Sequence, residues 1–134
     1  MRKLVVAIVA LSLSGCGTFS FLSHPPRVFV VFFPDKSVTL TADAAKIVDD
    51  AAAAAKADGA RQVQLTGPST KIAPGYDPAL AEPRIKLVEN ALVADGVAAE
   101  RIVIASETTD GVNVKSDPSG AQRVEMRLID KPAK

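Results

Sequence analysis

The side chains best suited to nucleophilic or metal chemistry are almost absent from this sequence. Cys16 is the single cysteine and His24 the single histidine among 134 residues. One cysteine forms no internal disulfide, and these two residues are too few for the four ligands of a structural zinc site. Because His24 lies beside Pro25 and Pro26, we interpret it as a solvated linker residue. No metal or other cofactor is expected.

The acidic residues also lack the arrangement that acid–base catalysis needs. Asp49 and Asp50 are adjacent, so on a helix they point in different directions and are expected to be solvated. The chain has neither a glycine-rich phosphate loop nor a Gly-x-Ser-x-Gly elbow, the motifs typical of phosphate-binding and hydrolytic sites. We therefore predict that the protein is not an enzyme.

The size and the net charge of the chain exclude further classes of protein. A chain of 14.0 kDa makes one domain at most once a targeting segment is removed. Sixteen basic residues against 15 acidic ones give a net charge of +1, which is far from the basic excess of a surface that binds phosphates. A nucleic-acid partner is therefore not expected.

The N-terminal segment has the order of a secretory signal. Arg2 and Lys3 precede an apolar run over residues 4–13, and small residues follow up to Cys16. This order predicts a signal peptide over residues 1–15. The run is shorter than the roughly 20 apolar residues of a spanning helix, so a transmembrane anchor is not expected.

The end of this segment, Leu13-Ser14-Gly15-Cys16, resembles the bacterial lipobox. The resemblance implies that the thiol of Cys16 carries a diacylglyceryl group and that Cys16 becomes the new N-terminus. Several acyl chains together give stable membrane anchoring. Gly17 stands where an aspartate retains such lipoproteins at the inner membrane, so the resemblance implies the periplasmic face of the outer membrane. The alternative is an ordinary signal peptide with an incidental cysteine.

Periodicity divides the rest of the chain into a tether at 16–27, a folded domain at 28–130 and a tail at 131–134. Continuous or alternating apolar residues predict four strands, at 28–33, 61–66, 101–105 and 123–129. In the last of them, the inward residues are expected to be Val124, Met126 and Leu128.

Apolar residues at three-and-four spacing predict two helices. The first lies between Thr41, as its N-cap, and Gly59, and the second lies between Asp77, as a cap before Pro78, and Gly96. A proline at position 83 indicates that the second helix has a distorted first turn or starts regularly near residue 82. The order β-α-β-α-β-β predicts an α/β (α+β) two-layer sandwich, with both helices on one face of a mixed four-stranded sheet.

Several short segments share a pattern in order and spacing with one known domain family. They are Val30-Val31-Phe32-Phe33, Gly67, Tyr76–Arg84, Asp95-Gly96-Val97, Arg101-Ile102 and Arg123-Val124-Glu125. On these segments the region 28–130 resembles the OmpA-like C-terminal domain, the periplasmic peptidoglycan-binding module found on bacterial lipoproteins.

The resemblance implies a ligand and the residues that bind it. Family members bind the diaminopimelate of the peptidoglycan stem peptide through a loop aspartate and a helix arginine. This ligand end carries an ammonium and a carboxylate, and arginine can donate two parallel hydrogen bonds to a carboxylate. The resemblance assigns the arginine role to Arg84 and other ligand-binding positions to Gly67, Thr70, Asp77 and Arg123.

The expected binding loop departs from the family pattern. It reads Gly67-Pro68-Ser69-Thr70, so a neutral threonine replaces the aspartate that would bind the ammonium. Losing one charged hydrogen bond costs about 1.5 to 3 kcal/mol, so weak binding is expected. Asp77 or Asp110 are candidates to replace the lost carboxylate, although the Pro78 that follows Asp77 favours a role as helix cap.

Two functions remain open. In the first, an outer-membrane lipoprotein binds peptidoglycan non-covalently and weakly, and links the membrane to the wall. In the second, the OmpA-like domain has lost wall binding and serves envelope-protein interaction or structure. For Arg84 the alternatives are a ligand contact, an exposed helical cation, or an intrachain partner of Glu82 or Asp77. The second function is suggested by changes from the family pattern at Pro68, Thr70, Ala81, Ala121 and Gln122.

Overall fold

The structure is a computed structural model that describes residues 27–59, 61–69, 73–105 and 118–131. Four strands and two α-helices follow one another along the chain in the predicted order. They are β1 (Arg27–Phe32), α1 (Ala42–Ala57), β2 (Arg61–Thr66), α2 (Ala81–Ala94), β3 (Ile102–Ile104) and β4 (Arg123–Asp130). The predicted signal peptide, the lipidation site at Cys16, Thr70 and Asp110 lie outside the described residues. Neither α-helix of the described ranges has the length and hydropathy to cross a bilayer.

The four strands form one mixed sheet in the order β1-β4-β2-β3. The last strand in sequence therefore lies between the first two, antiparallel to both, with Val124 opposite Val31 and Met126 opposite Leu65. β3 pairs with β2 in parallel. A two-layer α+β fold with a mixed four-stranded sheet is thereby confirmed.

Helix α1 begins where Thr41 caps it. The Thr41 hydroxyl accepts a hydrogen bond from the N–H of Ala44 at 3.2 Å, which satisfies one of the N–H groups that a helix start leaves unpaired. Its buried residues recur at helical spacing, and most are alanine, which lets the helix axis lie close to the sheet. They are Ala44, Val48, Ala51, Ala52 and Ala55.

Arg101 fastens the end of α1 to the start of β2. Its guanidinium donates hydrogen bonds to the carbonyls of Ala55, Asp58 and Arg61 at 2.7, 2.8 and 2.7 Å. The last carbonyls of a helix have no partner within the helix, and this side chain satisfies the one of Ala55. Arg101 ends a 3-10 turn over Ala99–Arg101, which is why β3 is shorter than the predicted strand 101–105.

Helix α2 is preceded by a 3-10 turn over Pro78–Leu80, which Asp77 caps by accepting a hydrogen bond from the N–H of Ala79 at 3.0 Å. The predicted capping role of Asp77 is confirmed, although the α-helix itself begins at Ala81. Pro83 falls in its first turn, where a missing N–H costs no helical hydrogen bond.

The core lies between the two helices and one face of the sheet. The inward direction of Val124, Met126 and Leu128 is confirmed, since none is more than 1% exposed. The remaining fully buried aliphatic residues come from every layer, and include Val31, Val48, Val63, Leu65, Val88 and Leu92. On β1, Val28 and Phe32 alternate to the other face and are exposed.

Candidate functional site

Arg84 is the largest fully buried side chain of the described residues, with 0% of its surface exposed. It lies on the inward face of α2 because it shares helical spacing with the buried Ala81, Val88 and Leu92. The interpretation of Arg84 as an exposed helical cation is therefore wrong. The same spacing that buries the apolar residues carries the guanidinium beneath the segment that joins β1 to α1.

The guanidinium is held by neutral groups of that segment. Nε donates to the carbonyl of Ser37 at 2.8 Å, and Nη2 donates to the carbonyl of Pro34 at 3.3 Å. The cation also lies over the ring of Phe33, with Cζ 5.0 Å from the ring centroid, within the range of a cation–π interaction. Among the described residues, Nη1 has no hydrogen-bond partner.

Burial and nearby acidic groups have opposite effects on the pKa of Arg84. Burial lowers the pKa of the guanidinium from its ordinary value, while Tyr76, Asp35 and Asp77 oppose that shift. Because arginine does not lose its proton in proteins, Arg84 remains a buried cation whose Nη1 amino group has no acceptor among the described residues. Such a group favours an acceptor that the described chain does not supply.

Tyr76 lies ahead of α2, is buried, and interacts with Arg84. The hydroxyl of Tyr76 donates to the carbonyl of Pro68 at 2.5 Å, and its ring packs with Ala73 and Ala121. Gly75, which precedes Tyr76, has a φ of +79°, a conformation that glycine adopts without strain. The chain thus turns sharply before α2 and directs Tyr76 inward.

Gly67 follows β2 and faces Ile85 of α2. A Cβ built on it would make ordinary van der Waals contact with Ile85 at 3.4 Å and with the carbonyl of Arg123 at 3.5 Å. Gly67 lines a groove of about 600 Å³, whose described lining does not include Arg84. The groove residues are Gly67, Ser69, Ala81, Glu82, Ile85, Lys86, Glu89, Ile104 and Ala105.

Arg123 is placed apart from Arg84. It is 4% exposed at the start of β4, where Nε forms an ion pair with Glu125 at 3.1 Å and Nη1 donates to the carbonyl of Gly120 at 2.8 Å. Strand alternation puts it on the face opposite Val124, and therefore opposite the helices. Of the predicted site residues that the structure describes, Arg84 and Asp77 interact electrostatically. Arg123 lies on the face of the sheet opposite the helices, and Gly67 lines the groove.

Two residues that sequence reasoning did not assign to the ligand lie beside Arg84. The amide Nε2 of Gln122 donates to Oδ1 of Asp35 at 3.2 Å, and the carbonyl of Gln122 accepts from the N–H of Phe33 at 2.7 Å. Oε1 of Gln122 is buried without a partner in the described part of the chain. The sequence gives little reason to assign Asp35 to the site, because an aspartate that follows a strand and a proline is typical of a turn.

Comparison with known proteins rests on structure. The sequence matches no protein-family model, and no curated protein is significantly similar to it. The OmpA-like domain of FopA1 from Francisella tularensis is 19% identical with a TM-score of 0.62, over 80% of this chain and 77% of that one.

Two further solved structures are similar to the same degree. The peptidoglycan-associated lipoprotein from Burkholderia pseudomallei is 20% identical with a TM-score of 0.58, over 75% of this chain and 89% of that one. The periplasmic domain of Helicobacter pylori MotB is 14% identical with a TM-score of 0.60, over 78% and 76%. Together with the strand order and the two helices described above, these similarities establish that the chain has the OmpA-like fold.

Proposed function

We propose that this protein is an outer-membrane lipoprotein whose OmpA-like domain binds peptidoglycan non-covalently and weakly, and so links the membrane to the wall. The observation that carries the proposal is the guanidinium of Arg84, which is fully buried and whose Nη1 amino group has no hydrogen-bond partner among the described residues. An unsatisfied buried donor costs about 1 to 3 kcal/mol, and more when it is charged. A ligand acceptor would remove that cost.

The chemistry of the site suits a carboxylate. Nη1 has no partner among the described residues, and Nη2 carries two N–H groups, of which the carbonyl of Pro34 accepts one at 3.3 Å. Each of the two nitrogens can therefore donate to a ligand oxygen. Two parallel N–H groups are the donor set that binds a carboxylate most strongly. The resemblance to OmpA-like domains identifies this carboxylate with the diaminopimelate end of a wall stem peptide.

The position of the protein in the envelope follows from the N-terminal segment. The lipobox-like sequence ending at Cys16 supports a lipid anchor at the periplasmic face of the outer membrane. Two of the structural neighbours are called a lipoprotein and a periplasmic domain, which accords with the same location. The proposed role is non-catalytic.

A second candidate function is an envelope-protein interaction module without wall binding. It is favoured by the two backbone hydrogen bonds of Arg84, which tie α2 to the segment between β1 and α1 and give the arginine a structural role. Exposed apolar residues on β1, Val28 and Phe32, would then contribute to a protein contact.

Co-sedimentation with purified peptidoglycan separates the two candidates. The full chain in mild detergent is compared with Arg84→Gln, Lys86→Gln and Thr70→Asp, after thermal unfolding shows that each variant is folded. The two glutamine variants remove one positive charge from the same helix, but Lys86 is exposed. We expect Arg84→Gln to weaken binding roughly tenfold to a hundredfold, Lys86→Gln to bind normally, and Thr70→Asp to bind more tightly.

Failure of the native chain to sediment with peptidoglycan would contradict wall binding. An equal loss in Arg84→Gln and Lys86→Gln would show that general charge, rather than the buried guanidinium, produces the sedimentation.

A further inference from the structure

Asp35 occupies a tight turn at the end of β1, next to the residues that hold Arg84. The N–H of Ser37 donates to the carbonyl of Pro34 at 3.1 Å, and Lys36 has a φ of +53°, so the turn is closed and its geometry is defined. Phe33 on one side of Asp35 is buried, whereas Asp35 itself is exposed. The turn therefore presents a carboxylate at the surface directly above a buried cation.

Gln122 orients that carboxylate. Its side chain is only 7% exposed, its carbonyl is fixed by the N–H of Phe33, and its Nε2 donates to Oδ1 of Asp35. In the described part of the chain, Asp35 makes no other hydrogen bond or ion pair. A buried amide thus holds one carboxylate oxygen in place, and the carboxylate keeps further acceptor capacity.

The acid and the guanidinium belong to one local cluster. Nη2 of Arg84 contacts the carbonyl of Pro34, the residue before Asp35, and the guanidinium lies over Phe33. The negative charge of Asp35 also opposes the lowering of the pKa of Arg84 by burial. Asp77 exerts a smaller charge effect on Arg84 than Asp35 does, and its carboxylate caps the turn before α2 through the N–H of Ala79, so Asp35 is the better placed acid.

We propose that Asp35, oriented by Gln122, binds the ammonium group of a zwitterionic amino-acid ligand whose carboxylate binds Arg84. This inference rests on the proposed wall binding and deepens it, because it places the acid that position 70 lacks on a different loop. Recognition of an amino-acid end requires an anionic acceptor and a bidentate donor on the same site. The β1–α1 turn and α2 supply the two.

Chemical acetylation of the free amino groups of peptidoglycan tests this pairing. The full chain in mild detergent is sedimented with native and with acetylated peptidoglycan, beside Asp35→Asn and Asp50→Asn. Asparagine at position 35 keeps an oxygen that accepts from Gln122 and removes only the charge. Asp50 is exposed on α1 and paired with Lys46, so its variant makes the same change in net charge away from the site.

We expect Asp35→Asn to weaken binding to native peptidoglycan roughly tenfold or more, and Asp50→Asn to bind normally. Acetylation should weaken binding of the native chain to the same extent. It should have no further effect on Asp35→Asn, because the ammonium and its partner are then already separated.

Three results would overturn the inference. If Asp35→Asn binds like the native chain while Arg84→Gln does not, wall binding stands and Asp35 has no part in it. If acetylation weakens the native chain and Asp35→Asn equally, Asp35 does not contact the ammonium. If the native chain shows no binding that depends on Arg84, the proposed function fails and this inference fails with it.

Discussion

The sequence identifies Arg84 as a candidate ligand-binding residue but does not predict that its side chain is buried. The family-like motif of α2 identifies the arginine, but its burial depends on the β1–α1 segment, whose carbonyls of Pro34 and Ser37 come from about fifty positions earlier. Asp35 and Gln122 are 87 positions apart. No local pattern encodes such a contact, so the acid beside the guanidinium could be identified only in three dimensions.

A second charged cluster, where the end of α2 meets α1, makes stability depend on pH. Burial raises the pKa of Asp95 above its ordinary value of 3.8, as do a hydrogen bond with Asp49 and repulsion from it, while Lys56 opposes the shift. A carboxyl whose pKa is raised on folding contributes stability that is complete below 3.8 and is lost as the pH rises through its folded value.

Replacing Asp95 by Asn should therefore raise the free energy of unfolding at neutral pH. Asparagine stays uncharged at every pH, so the variant and the native chain should become equally stable at pH values below 3.8. Urea unfolding at both pH values measures the difference. Asp50→Asn, on the exposed side of α1, makes the same change in net charge and is the control. A gain of the same size at low and neutral pH would contradict the role of ionisation.

At the scale of helices and strands, the pattern of residues within one segment is sufficient to predict most elements. The alternation of Arg61–Thr66 gave β2 with its observed bounds, and Thr41 was identified as the cap of α1. The start of α2 differs from the prediction, because Asp77 caps a 3-10 turn instead of the α-helix itself. The position of β4 between β1 and β2 was not predicted, since strand order depends on pairing across most of the chain.

The alanines of α1 set its distance from the sheet, and a larger residue at a buried one should be destabilising. Ala52 is 0% exposed and Ala53 is exposed. Ala52→Leu should lower the free energy of unfolding by about 1 to 3 kcal/mol through overpacking. Ala53→Leu makes the same change on the solvent side and should stay within about 0.5 kcal/mol of the native chain. Urea denaturation of both variants measures the contrast, and equal effects would show that close packing does not restrict α1.

At the scale of the whole molecule, β4 joins β1 to the pair of β2 and β3 and so completes the sheet. Among the described strands, β1 pairs with β4 alone, and β2 and β3 join β1 through β4. Because Val124, Met126 and Leu128 also fill the centre of the core, no stable partial sheet is expected without them.

Deleting residues 123–134 should abolish cooperative unfolding and most of the strand signal in far-UV circular dichroism. Deleting residues 132–134 is the matched control, since it leaves every strand residue in place, and should keep the native unfolding midpoint. Retention of a cooperative transition by the longer deletion would show that the remaining elements form a stable core without β4.

The register of β1 on β4 has a mechanical consequence for a protein tethered at its N-terminus and bound to the wall. Arg27 lies opposite Leu128, and Phe32, at the other end of β1, lies opposite Arg123 and next to the turn that carries Asp35. Tension between the lipid anchor and a bound wall peptide would enter at Arg27 and leave near Asp35, so it would run along the strand. The hydrogen bonds to β4 are perpendicular to that direction and lie outside this path, so the covalent backbone of β1 would carry the load and the sheet would not be peeled apart.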